Sequence, residues 1–104
     1  DIIPTGATGP GWTSSAISTN TSLVSRYEYF CTTSSALTLT LSATPTQGDE
    51  IRIFDASGQA ATNNITVSPN GNNLQGSVQN LLINVNYGSC TLIYTGSTYG
   101  WKVA

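Results

Sequence analysis

Hydrophobic and polar residues alternate with period two along most of this chain. The pattern is clearest in Leu37-Thr38-Leu39-Thr40-Leu41, where leucines take one face and hydroxyls the other. In 23–33, Tyr27, Tyr29 and Cys31 form one face and Arg26, Glu28 and Phe30 the other; in 50–54, Ile51 and Ile53 point inward and Arg52 outward. Shorter apolar runs predict strands at 65–67, 81–85, 90–94 and 99–103. Between them lie turn signals: Thr44-Pro45-Thr46-Gln47-Gly48-Asp49, the small polar run from Asp55, and Pro69-Asn70-Gly71-Asn72-Asn73. Asn86-Tyr87-Gly88-Ser89 and Thr95-Gly96-Ser97-Thr98 read as short hairpin loops. With almost no stretch able to bury one face of a helix, the expectation is an all-β fold of roughly seven or eight strands, an antiparallel sandwich or jelly-roll-like knob.

Composition narrows the function classes. The 104 residues suit one domain, and only 8% are charged against roughly 25% in an average soluble domain, so the surface is neutral and hydrogen-bonding. Three bases, Arg26, Arg52 and Lys102, within a net charge of −2 cannot neutralise a row of phosphates, which argues against nucleic acid and against anionic membranes. No apolar run approaches the ~18 residues of a membrane helix, and no signal sequence opens the chain, so it reads as soluble. Histidine is absent, and Cys31 and Cys90 sit in β-patterned runs without metal-ligand spacing. Free buried thiols are the favoured reading over a disulfide, and no metal or cofactor is expected.

The opening stretch suggests how many chains assemble. Gly6 and Gly9, with Pro10 following, repeat glycine at every third position, the code of a collagen triple helix, in which only hydrogen fits at the shared axis. The period breaks at Ile3 and Trp12, so a Gly/Pro-rich turn is the competing reading.

From Pro45 onward the order of parts resembles the carboxyl-terminal module of bacteriophage tail fibre and tail needle proteins. The likeness runs through Pro45-x-x-Gly48-Asp49-Glu50-Ile51, Asp55-x-x-Gly58-x-Ala60-Ala61-Thr62-Asn63-Asn64-Ile65-Thr66-Val67, Asn70-Gly71-Asn72, Gly76, Asn84-x-Asn86-Tyr87-Gly88-Ser89, Thr91-Leu92-Ile93-Tyr94 and Gly100-Trp101-Lys102-Val103. The resemblance implies a homotrimeric knob at a fibre tip that recognises a bacterial cell-surface polysaccharide or protein, as part of a virion assembled in the host cytoplasm. On this reading residues 1–15 are the end of a collagen-like or extended stem, with Gly6, Gly9, Pro10 and Trp12 at the trimer axis, and 16–104 are the knob. Rival readings are a trimerisation knob that ends a fibre without binding anything, and a tumour-necrosis-factor-like or complement-like head on a bacterial collagen-like protein.

Candidate chemistry is sparse, and no catalytic residue is assigned. Asp49 and Glu50 are adjacent and would face opposite sides of a strand, while Glu28 and Asp55 would need to face each other to serve as a glycosidase pair. Asp55 is better read as a cap for backbone N–H groups of the loop after it. Asp55, Asn63, Asn64, Asn70 and Asn72 are oxygen donors of the kind calcium takes, without the spacing of a dedicated loop. Arg26, Glu28 and Arg52 suggest cross-strand or cross-subunit pairing. Sugar recognition by an aromatic ring with amides nearby makes Asn63, Asn64, Asn70, Asn72, Asn73, Tyr87 and Tyr99 the candidate ligand-binding residues. Trp101, Tyr27 and Tyr29 are expected in the core or at a subunit interface.

Overall fold

The computed structural model describes residues 11–104; Gly6, Gly9 and Pro10, expected in a stem, lie outside the described residues. Nine strands follow in order: β1 Thr13–Ile17, β2 Thr21–Ser22, β3 Tyr27–Cys31, β4 Leu37–Thr40, β5 Glu50–Asp55, β6 Ile65–Ser68, β7 Leu81–Ile83, β8 Ser89–Tyr94 and β9 Trp101–Val103. The all-β expectation holds among the described residues. They form two sheets, β1-β3-β5-β8-β9 and β2-β4-β6-β7.

The first six strands alternate between the sheets, and each lies parallel to the strand two places earlier: β1, β3 and β5 in one sheet, β2, β4 and β6 in the other. The chain therefore winds in three successive turns, each contributing one strand to each sheet. Only afterwards does it reverse, with β7 antiparallel to β6, β8 to β5 and β9 to β8. The sheets are mixed, which corrects the antiparallel expectation. A period-two pattern reports which face of a strand is buried; it carries no information on the direction of the neighbour. One of the two expected hairpins is corrected for the same reason: Tyr94 to Trp101 closes a hairpin between β8 and β9, whereas β7 pairs with β6 and segment 84–88 crosses from one sheet to the other.

The inner faces share one core. Tyr29, Ile51, Ile53 and Leu92 from the five-stranded sheet meet Leu37, Leu39, Ile65 and Val67 from the four-stranded sheet, all buried. Burying each such side chain contributes about 1.5–3 kcal/mol. The outer face of the larger sheet carries the charges. Arg52 reaches Glu28 at 2.8 Å across β5 and β3, and Arg26 reaches Glu50 at 3.5 Å, so the expected pairing is realised within one chain. Trp12 lies half-buried beneath both guanidiniums, with the Arg52 and Arg26 carbons 4.1 and 5.1 Å from its ring centre, a cation–π geometry. Cys31 and Cys90 are both free.

The loops divide between the two ends of the strands. Segments 42–49, 69–80 and 95–100 gather where β5 begins: the Gly48 N–H donates to the Tyr94 carbonyl, Asn72 Nδ2 to the Ser42 and Ala43 carbonyls, and Asn73 Nδ2 to the Thr98 carbonyl. Segments 55–64 and 84–88 gather where β5 finishes, joined by the Ala61 N–H donating to Asn86 Oδ1.

Candidate binding site

At the first of these ends, beside β9, a cavity of about 400 Å³ is lined by Gln75, Gly76, Thr95, Tyr99, Trp101 and Lys102. That volume lies within the ~300–1,000 Å³ range of small-ligand clefts. Its walls come from two segments distant in sequence. Leu74 forms a parallel bridge with Trp101, and the ladder continues on both sides: the Gln75 N–H donates to the Trp101 carbonyl, the Gly76 N–H to the Tyr99 carbonyl, and the Trp101 N–H to the Asn73 carbonyl. The Gln75 side chain then accepts the Val103 N–H through Oε1 at 2.9 Å, and its NH₂ remains as a donor. Thr95 donates its hydroxyl to the Gly100 carbonyl at 2.6 Å.

Gly100 makes this closure possible. It has φ +76°, and a Cβ there would lie 1.9 Å from the Asn73 carbonyl oxygen, so any side chain would separate the two segments. The loop it ends presents Tyr99 with 71% of its surface exposed, while Trp101, two residues on, is 1% exposed and packs against Tyr94 at 5.3 Å. One aromatic is thus free to meet a ligand and its neighbour anchors the strand. The buried Trp101 Nε1 has no hydrogen-bond partner among the described residues.

The expected ligand-binding residues do not form one cluster. Asn70, Asn72, Asn73 and Tyr99 lie at the cavity's end of the strands; Asn63, Asn64 and Tyr87 lie at the other end. Tyr99 lines the cavity and Asn73 braces its wall. Asn72 ties together three loop carbonyls, those of Ser42, Ala43 and Pro69. Asn70 holds the tight turn with φ +55° beside Gly71 at +91°, and the Asn64 carbonyl accepts the Leu37 N–H. The oxygen donors weighed for calcium are split in the same way. Gln75, Gly76, Thr95 and Lys102 were not singled out from sequence as site residues, because the pairing of Leu74 with Trp101 leaves no periodic signal.

At the opposite end, Asp55 organises the loops as expected. Its carboxylate is buried and accepts the backbone N–H groups of Gly58, Gln59, Ala60 and Tyr87 and the Ser57 hydroxyl. Burial by itself would raise its pKa; the N–H groups of Ala60, Tyr87 and Gln59 and the Ser57 hydroxyl outweigh burial and hold it below the ordinary aspartate value. Tyr87 is 73% exposed and its ring lies against Gly58. Asp55 faces inward while Glu28 lies on the outer face beside Arg52, so the two carboxylates weighed as a glycosidase pair do not face each other.

A smaller recess of about 220 Å³ is lined by Leu81, Leu82, Val85, Cys90 and Val103 together with Asn84 and Ser89. Compared with protein-family models and with curated proteins, the chain matches none.

Proposed function

We propose that this chain is the tip of a bacteriophage tail fibre, a homotrimeric, non-enzymatic adhesion module of the virion that recognises a bacterial cell-surface glycan or protein, a polysaccharide foremost. The observation that carries the reading is the position of Tyr99: an exposed ring beside a ligand-sized cavity, at the sheet edge opposite β1. The described chain starts at the β1 edge and builds outward turn by turn. Four strand spacings, about 19 Å, separate it from the Tyr99 edge, as suits a module fed from a stem on one side and gripping on the other. The likeness of residues 45–103 to fibre tips and the Gly6/Gly9 repeat support the same reading. Modest affinity at each cavity is multiplied when several copies engage one surface.

A second reading, a trimerisation knob that terminates a fibre without binding anything, is favoured by one feature: segment 73–77 covers the β9 edge with hydrogen bonds, which blocks further strand addition there. Two measurements separate the readings. Light scattering should give a mass three times that of the 10.9 kDa chain, and a stable monomer would sink both. The isolated trimer should compete with phage for host cells, and Tyr99→Ala should abolish the competition while leaving the trimer intact; a trimer that never binds cells favours the terminator.

A further inference from the structure

Resting on the adhesion reading, we infer that the Tyr99 cavity takes an acidic saccharide, one whose carboxylate is met by Lys102. The chain has three basic residues. Arg52 and Arg26 are already engaged by Glu28 and Glu50 at 2.8 and 3.5 Å. Among the described residues, Lys102 alone has no carboxylate within ion-pair distance, and it lines the cavity. In a chain so poor in charge, an unengaged cation on a cavity wall sets the sign of the ligand it favours.

The surrounding groups leave that charge available. Lys102 lies opposite Ile93 in the β8–β9 ladder, and Glu50 lies on the far side of Ile93. Glu50 is therefore two strands away, and it is held by Arg26. Asp49 turns its carboxylate back to accept the Thr46 N–H at 2.9 Å. Tyr99 supplies a ring for the apolar face of a pyranose, the Gln75 NH₂ and the Thr95 side chain supply polar contacts for its hydroxyls, and Lys102 supplies a point charge for a uronate carboxylate. A neutral sugar would use the ring and the polar groups and leave the ammonium unmatched.

The test uses the full chain on a panel of bacterial capsular glycans containing uronic acid, each paired with its carboxyl-reduced, neutral counterpart. At low salt the acidic member of a pair should bind at least fivefold more tightly, and the preference should shrink severalfold at ~0.5 M salt, where charges are screened beyond about 4 Å. Lys102→Gln should erase the preference while keeping residual binding of both members; Tyr99→Ala should weaken both together. Equal binding within the pairs, a preference that survives Lys102→Gln, or binding to host cells with no acidic glycan recognised would each overturn the inference and leave adhesion standing. Absence of binding to host cells by the trimer would instead overturn the adhesion reading itself.

Discussion

The backbone N–H of Tyr87 donates to Asp55 Oδ2 at 2.9 Å, and through that bond one carboxylate joins two loops 32 residues apart in sequence. The same oxygen accepts from Ala60, while Oδ1 serves Gly58, Gln59 and the Ser57 hydroxyl. Asp55 therefore does for this end of the molecule what a bound ion does in other loop clusters, using only its own charge.

Asp55→Asn should cost about 3 kcal/mol, because it removes one acceptor from a buried site where an unpaired group costs ~1–3 kcal/mol and a charged acceptor is worth more. The sign of the pH effect follows from the depressed pKa. An aspartate held below its unfolded value of about 3.9 contributes stability that is present above that value and is lost as pH falls through the folded-state pKa. Urea midpoints should accordingly drop below about pH 4, and the drop should flatten in Asp55→Asn.

Gly100→Ala should destabilise the chain by about 2–4 kcal/mol, combining a strained positive φ with a clash that one segment must relieve. Gly71 provides the control. It also has positive φ, at +91°, but a Cβ there meets nothing within 4 Å, so its alanine variant should lose only about 1 kcal/mol. Thermal melts of the two variants would measure the difference, and only Gly100→Ala should also disturb the Tyr99 cavity.

Trp101→Phe should be far milder than Trp101→Ala. The alanine variant opens a cavity worth about 3–5 kcal/mol. The phenylalanine variant keeps most of the ring and removes a buried indole N–H that lacks a partner among the described residues, so its cost should stay under about 1.5 kcal/mol. Chemical denaturation of both variants checks the ordering.

The two thiols should react slowly in the folded chain, Cys31 because it is buried and Cys90, half-buried, because its thiolate is scarce. Burial pushes the Cys31 pKa up to about 11, with nearby Asp55 adding to it, and burial pushes Cys90 up to about 11, with Cys31 adding to it. Since the thiolate is the reactive form, a disulfide reagent at pH 8 should react slowly with native protein and release two equivalents at once in urea, matching the two cysteines. Fast reaction of the native protein would contradict this placement.

Much of the local structure was legible before any fold was known. Leu37, Leu39, Leu41, Ile51, Ile53 and Trp101 announce themselves as core by alternation, and each is buried. Asp55 before a run of small residues announces a cap, and its carboxylate makes one. The strand Thr13–Ile17 is not legible in the sequence, because Thr-Ser-Ser-Ala-Ile carries no apolar alternation; it exists as an edge, held by its ladder to Tyr27–Cys31. The candidate cavity is only partly legible in the sequence: Tyr99 is an aromatic beside a turn, whereas Gln75 and Thr95 look like ordinary loop residues until Leu74 pairs with Trp101.

The sequence by itself determined the inward faces of the clearest alternating runs, Leu37, Leu39 and Leu41 and then Ile51 and Ile53, the turns at 44–49 and 69–73, and a composition in which only 8% of residues are charged. These follow from side-chain chemistry and a local period of two. Only the tertiary structure decided that the first six strands run parallel in alternating sheets, that the asparagine clusters separate to opposite ends, and that Lys102, with no ion-pair partner among the described residues, lines the same cavity as Tyr99. Those outcomes depend on which strand lies beside which, a relationship fixed by long-range packing of the shared core and invisible to any local pattern.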